Sequence, residues 1–435
     1  MSPRASGVLV VAAAAAVLAI TVVVPNRQSL VLTVEGHGSA YPSIATSGQF
    51  LAVAWGATSA TGVTDIYTAV SRDAGRTFAK PILASDDSSR ASLSGEQPPT
   101  LTLLPRTGQD PSVVVTWTAK TPGGTQLLSA RSDGHSFTRP AALPGSEGPG
   151  NRGWQTTATD RDGQVMAVWL DHRELAMAAG GPTPMDHAAH QHGVTPGRET
   201  DGVERAQRSK LFFARLDDPS SAQALTGGVC YCCKTALATA PDGTIYAAWR
   251  HVYPGSIRDI AFAASRDGGR TFSAPARVSE DGWVLEGCPE NGPAMIVDER
   301  QRVHMAWPTL IQETGASAEP TLALFYAGSH DGLSFTPRQR VPTEGVPRHV
   351  RITSQPGGSV AMVWEEGSAG SRRVALGLGI PDETGRLRWR RRIISGDATA
   401  TYPVLASVEG GVVTAWVHDT GTGPSVRVER VVTTN

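Results

Sequence analysis

The chain has 435 residues, with 39 Lys and Arg against 40 Asp and Glu, a formal net charge of -1, 47 Gly, 30 Pro and 4 Cys. Balanced charge creates no field that would draw nucleic acid or an anionic membrane surface, so neither is expected as a partner of the folded part. Short runs rich in Val, Thr, Trp and Ile lie between Gly and Pro, and no long stretch of the mature region has helical periodicity. An all-β protein with little helix is predicted.

Residues 7–24, GVLVVAAAAAVLAITVVV, form an uncharged apolar run behind Arg4. Its length suits the core of a secretory signal or a single membrane anchor. No cysteine follows it to carry a lipid, and Val24-Pro25-Asn26-Arg27 is a poor small-residue cleavage site. An uncleaved anchor with its N-terminus inside is favoured over a cleaved signal. Residues 1–28 then form this segment, and residues 29–435 are exported, held outside the cytoplasm at the membrane or secreted.

Along the exported part a short apolar run closes seven times on tryptophan: Trp55, Trp117, Trp169, Trp249, Trp307, Trp364 and Trp416, spaced 52 to 80 residues apart. Such a period marks one supersecondary unit used repeatedly, and a β-propeller forming one domain is its natural outcome. Each unit reads as an opening strand near a proline, the strand ending in tryptophan, a third strand, a tight turn and a fourth strand. The last unit, from Tyr402 onward, lacks its outer strand. SLVLTV at Ser29 to Val34 is predicted to supply it and close the ring, leaving no open edge. Seven blades are predicted; the alternative is six with one aberrant unit.

The turn between third and fourth strands reads SRDAGRTF at 71–78 and SRDGGRTF at 265–272, with degenerate copies ending at Phe137 and Phe335. It resembles the Asp-box, or BNR, repeat of the sialidase superfamily. Asp73 and Asp267 read as acceptors for the turn's own backbone, the glycines as positive-φ positions and the phenylalanines as packing between sheets. Sialidases have six blades, so a count of seven departs from that pattern.

In a four-stranded meander the connections alternate sides. The loop entering each blade and the loop after its tryptophan therefore share one face, opposite the Asp-box turns. Entering loops carry Tyr41, Gln97, Trp154, Gln155, the segment Cys230-Tyr231-Cys232-Cys233-Lys234, Cys288, Glu290, Asn291, Arg348, His349 and Tyr402. Loops after tryptophan carry Asp171-His172-Arg173, Arg250-His251, Glu365-Glu366 and His418-Asp419. These groups are expected to converge on one mouth of the central funnel.

Cys230, Cys232, Cys233 and Cys288 belong to adjacent units. An oxidising compartment and an even count favour disulfides. Thiolates with His251 and His349 nearby would instead make a soft-metal site for copper or zinc. A His/Met-rich insertion at about 171–209 places Met185, His187, His190 and His192 on the same face as auxiliary ligands. A surface loop with solvated histidines is the plainer reading of that insertion.

Beyond the turns, WLDHR at 169–173, CYCCKT at 230–235, WRHVYPGSIRDI at 249–260 and CPENGP at 288–293 resemble an exported bacterial branch of sialidase-like proteins. The resemblance implies arginines gripping a substrate carboxylate, a Tyr nucleophile paired with Glu, and an Asp acid/base. Arg173, Arg250, Arg258 and Arg348 offer the grip; Tyr41, Tyr402, Glu290 and Asp171 offer the catalytic types. The family's F-R-I-P signature has no counterpart, since the matching stretch is Tyr41-Pro42-Ser43-Ile44. Three readings follow. The first is a monomeric propeller binding a small ligand at the mouth through Arg250, Arg258, Glu290 and Asn291, with a cysteine centre beside them. The second is an exo-α-sialidase-type glycoside hydrolase acting on acidic sugars, and the third a protein-docking scaffold.

Overall fold

A computed structural model describes residues 29–178, 200–285, 287, 289–312, 320–368, 370–396, 399–421 and 423–433. The apolar segment before Ser29, the insertion residues Met185, His187, His190 and His192, and Cys288 lie outside the described residues. Among those described, no helix is long and apolar enough to cross a membrane.

The protein is a seven-bladed β-propeller of seven four-stranded antiparallel sheets. Strand β1 (Ser29–Leu32) belongs to the last blade. Blade 1 is β2 (His37–Ser47), β3 (Phe50–Ser59), β4 (Thr64–Ser71) and β5 (Ile82–Leu83); blade 2 is β6 (Thr100–Arg106), β7 (Gln109–Thr121), β8 (Gly124–Ser132) and β9 (Ala141–Ala142). Blade 3 is β10 (Arg152–Thr159), β11 (Val165–Asp171), β12 (Lys210–Arg215) and β13 (Asp218–Thr226), with helices α1 (Arg173–Ala178) and α2 (Thr200–Arg208) inserted between β11 and β12. Blade 4 is β14 (Ala236–Thr239), β15 (Ile245–Arg250), β16 (Ile260–Ser265) and β17 (Ala276–Arg277); blade 5 is β18 (Ala294–Val297), β19 (Val303–Ile311), β20 (Thr321–Ser329) and β21 (Gln339–Val341). Blade 6 is β22 (Arg348–Ser354), β23 (Val360–Ser368), β24 (Ser371–Pro381) and β25 (Leu387–Ile393); blade 7 is β26 (Thr399–Val408), β27 (Gly411–Asp419) and β28 (Pro424–Val432), completed by β1.

Closure follows the expected route: β1 pairs antiparallel with β28 in the register Ser29↔Glu429 to Leu32↔Val426. The two ends of the chain thus seal one blade, which removes the free edge an open ring would present. Six blades with an aberrant unit is set aside.

All seven repeat tryptophans are at most 1% exposed and pack within the hydrophobic clusters of the ring. A buried indole N–H needs an acceptor, and in three blades the residue two positions on supplies it, within the strand for Trp169 and Trp364 and just past its end for Trp249. Trp169 donates to Asp171 Oδ2 at 3.3 Å, Trp249 to His251 Nδ1 at 3.2 Å and Trp364 to Glu366 Oε2 at 2.8 Å. Residues that follow tryptophan therefore divide between packing anchors and mouth groups.

The tight turns on the far face hold themselves together. Asp73 accepts from the hydroxyls of Ser71 and Thr77 and from the amides of Arg76 and Thr77. Asp267 accepts from the Ser265 and Thr271 hydroxyls and the Thr271 amide. Phe272 packs on Phe213 and Phe335 on Phe262. A cleft lined by Gln355, Ser359, Leu378, Ile380 and Ser407 also opens on this face, away from the titratable groups of the mouth.

Candidate functional site

Four innermost strands break register at the same place. Shifts fall between Ala40 and Ser43, Gly153 and Thr156, Arg348 and Arg351, and Thr401 and Val404. Inside each bulge sits one large residue in the left-handed region: Tyr41 at φ 57°, Trp154 at 56°, His349 at 52° and Tyr402 at 52°. Side chains with a Cβ resist this conformation at a cost of order 1–3 kcal/mol each, and bulges re-aim side chains next to working sites.

Three of the four form one cluster of tilted rings. The rings of Tyr41 and Tyr402 lie 5.2 Å apart, and those of Tyr402 and His349 4.8 Å apart. Gly95 makes room for it: a Cβ there would meet the Tyr402 ring at 1.9 Å. His349 Nδ1 is 2.6 Å from Glu365 Oε1, which also receives Arg372 Nη1 at 2.5 Å, while the Tyr402 amide donates to Glu365 Oε2 at 3.2 Å. An ionised carboxylate only accepts, so Nδ1 carries a proton toward Glu365. Burial opposes ionisation of Glu365, but His349 and Arg372 outweigh it and hold its pKa below the ordinary carboxylate value.

Nε2 points toward the axis, where Glu96 from the loop entering blade 2 reaches across the channel. Glu96 Oε2 accepts the amides of Lys234 in blade 4 at 2.8 Å and Gly292 in blade 5 at 3.0 Å. Its Oε1 lies 3.5 Å from Lys234 Nζ and 3.7 Å from His349 Nε2 of blade 6. Only a side chain on the axis can touch blades so far round the ring. Position 292 must be glycine, since a Cβ would sit 2.1 Å from the Lys234 carbonyl. Burial pulls the Lys234 ammonium down to about 8, against the opposing pull of Glu96. Tyr41 is pushed up by burial, and Tyr402 by burial together with Tyr41 and Glu365.

The other expected residues fall into separate groups. Arg250 is fully buried, stacks on Trp283, and donates to the carbonyls of Asn291, Arg258 and Pro308. Asn291 is buried and donates to the Pro289 carbonyl. Arg258, also fully buried, donates to the Leu285 carbonyl and to Cys230 Sγ at 3.1 Å. Arg173 and the buried Arg152 both bond to Asp171, whose oxygens additionally accept the Trp169 indole and the Arg173 amide. Asp171 thus anchors blade 3, its pKa lowered by Arg173 and Arg152 despite burial. Glu290 is exposed at φ 46° and lies, with Glu365 and Tyr402, in the electrostatic surroundings of half-buried Arg348. His251 stands against Tyr253 with ring centroids 4.5 Å apart, its pKa lowered to about 4 by burial and Arg277.

The Sγ atoms of Cys230, Cys232 and Cys233 lie 3.7 to 3.9 Å from one another in the interior. This trio is a group that could hold a metal ion, and His251 is not part of it. Cys230 and Cys233 are free thiols, whereas Cys232 is disulfide-bonded. Burial disfavours both thiolates, but the Cys233 thiol and the charges of Arg258 and Arg250 bring the Cys230 thiol down, while Cys233 is driven up.

Sequence reasoning did not single out Glu96 or Arg372 as site residues, and it placed Lys234 at the mouth without giving it a role. Glu96 and Lys234 stand in entering loops, so their place in the repeat marks them. Arg372 comes from a third strand, where the loop rule carries no signal.

Neither a protein-family model nor a curated protein matches the chain. Among solved structures it is similar to the polysaccharide lyase PL25-ulvanlyase bound to -[GlcA(1-4)Rha3S]-, at 10% identity over 93% of this chain and 96% of that one, with a TM-score of 0.57. It is also similar to the GH93 α-L-arabinofuranosidase of Fusarium graminearum with arabinobiose, at 13% identity over 93% and 97% of the two chains, with a TM-score of 0.49. The lyase likeness shows a shared propeller fold across nearly the whole of both chains.

Proposed function

We propose that this exported propeller, acting as a monomer, binds an acidic saccharide at its mouth. The observation that carries the reading is the Tyr41–Tyr402–His349 ring cluster, held in left-handed bulges beside Arg348 and oriented by Glu365. Aromatic faces accept the apolar face of a sugar ring, and Arg348 supplies planar recognition of a carboxylate or sulfate. The lyase that shares the fold was captured with a saccharide. Export rests on the apolar run at 7–24.

The same geometry weighs against a tyrosine nucleophile. Both phenols are pushed up, so they hold their protons and serve as donors. Hydrogen-bond donation to a bound sugar fits these residues better than sialidase-type covalent catalysis, which needs an ionisable tyrosine against a glutamate. The test is calorimetry with uronate-bearing and sulfated oligosaccharides against neutral ones. Acidic ligands are expected to bind, with affinity lost in Tyr402→Ala and Arg348→Gln. Equal binding of neutral sugars, or retained affinity in both variants, would overturn the reading.

A second reading concerns the cysteine trio, which we propose as a copper or zinc site once Cys232 is reduced. Three sulfurs about 2.3 Å from a common centre lie roughly 3.8–4 Å apart, close to the observed triangle. Elemental analysis of reduced, metal-loaded protein tests it, and absence of both metals would sink it.

A further inference from the structure

We infer that the ring carries a binding site remote from the mouth, for a sulfate or phosphate ester group on a small molecule. A cavity of about 270 Å³ opens between blades 5 and 6 on the face of the tight turns. Among the described residues three arginines, Arg302, Arg338 and Arg386, and two histidines, His304 and His330, line it, and no aspartate or glutamate does. Such a lining draws an anion and offers a cation no carboxylate.

The arginines come from three separate turns: Arg302 precedes β19, Arg338 precedes β21 and Arg386 precedes β25. Asp298 holds the first, accepting from Arg302 Nε at 3.0 Å, and lies 3.2 Å from His304 Nε2. Burial pulls His304 below its ordinary pKa against the pull of Asp298. Its ring is therefore neutral, donates from Nε2 to Asp298, and accepts the Tyr326 hydroxyl at Nδ1, 2.8 Å away. One carboxylate is thus shared by two donors, and Arg302 Nη2 is left buried with no hydrogen-bond partner among the described residues. A buried charged donor without an acceptor is costly, and a bound oxyanion supplies the acceptor. Gly358 walls this guanidinium, since a Cβ there would stand 1.9 Å from Nη2.

Arg338 donates to Asp281 and lies over the Phe325 ring, 4.4 Å from its centroid, which fixes its place. Arg386 is exposed; its amide donates to Asp382, and its guanidinium has no partner among the described residues. A planar carboxylate is satisfied by one bidentate guanidinium, whereas three guanidinium groups supplied by three turns suit the three free oxygens of a sulfate or phosphate ester. The volume lies just under the roughly 300–1,000 Å³ of sites for drug-sized ligands. It leaves room beside the anion for a body about the size of a sugar ring.

Calorimetry on the purified full-length protein tests this with a hexose phosphate, a hexose sulfate, the parent hexose and inorganic phosphate. Both esters are expected to bind and the parent hexose is not, with affinity about tenfold lower in Arg302→Gln and in Arg386→Gln. Arg348→Gln, which disables the mouth, should leave that affinity unchanged, so failure of this site and failure of the mouth reading are told apart. Arg302→Gln takes a partner from buried Asp298 and costs stability; exposed Arg386→Gln does not, and it decides the matter should the first variant fail to fold. Binding of neither ester, equal binding of the parent hexose, or affinity lost in Arg348→Gln but kept in Arg386→Gln overturns the site. Inorganic phosphate bound as tightly as the esters overturns the ester assignment.

Discussion

Glu365 and Glu366 are neighbours on β23, both at most 1% exposed, and the pleat sends them to opposite faces. Glu365 turns to His349, Arg372 and Tyr402; Glu366 serves Trp364, Arg391 and the Glu344 amide. Glu365→Gln replaces one acceptor oxygen by a donor that faces donors. Removing one partner of a buried pair costs about 3–5 kcal/mol. Arg372 is 27% exposed and regains part of its hydration, so about 2–4 kcal/mol is expected. With a urea m-value of about 3 kcal/mol/M the unfolding midpoint falls by about 1 M. Because the folded pKa of Glu365 is lowered, its contribution is present above the ordinary carboxyl value of 4.5 and lost as pH falls through the folded value. Wild type and variant should therefore converge in acid. Glu366→Gln should cost a similar amount. Saccharide affinity separates the two: loss of the charged bond that orients His349 predicts about a tenfold drop for Glu365→Gln and none for Glu366→Gln. An equal drop in both, or unchanged affinity in Glu365→Gln, would refute the division of labour along β23.

Asp171→Asn should destabilise the fold by about 3–5 kcal/mol, since Arg152 loses its carboxylate, yet leave saccharide affinity unchanged by calorimetry. Deleting residues 29–32 uncovers the edge of β28; light scattering should show aggregates or oligomers in place of the monomer. Alkylation of unfolded, unreduced protein should label Cys230 and Cys233 but not Cys232, which reacts only after reduction; peptide mass mapping reads the difference.

The ring was legible because a propeller writes one pattern seven times, so single ambiguous strands are outvoted by period. Even the closing strand showed, since the last unit ended one strand short and an unassigned β-run waited at the other end. Loop alternation likewise brought Tyr41, His349, Arg348, Glu365 and Tyr402 to one mouth. It could not tell which of those side chains face the mouth and which turn inward. Arg250 and Arg258 have the same composition signal as a carboxylate clamp, but their partners are carbonyls, from residues as far away as Pro308, and Cys230 Sγ.

Glu96 illustrates the deeper limit. Nothing local distinguishes a glutamate beside Gln97 from a solvated one; its role arises because four blades meet around a single axis, and only closure of the whole ring brings Lys234, Gly292 and His349 within reach. The left-handed bulges are of the same kind. Tyr and Trp have no local preference for that conformation, so their strain has to be held by the ring around them. Three of the four bulges, at Tyr41, His349 and Tyr402, bring their rings together at one mouth, while Trp154 is buried in the core; the strain is concentrated where a ligand would dock. A propeller that needed only stability would relax them to regular pairing, as the register of β14 with β15 shows it can.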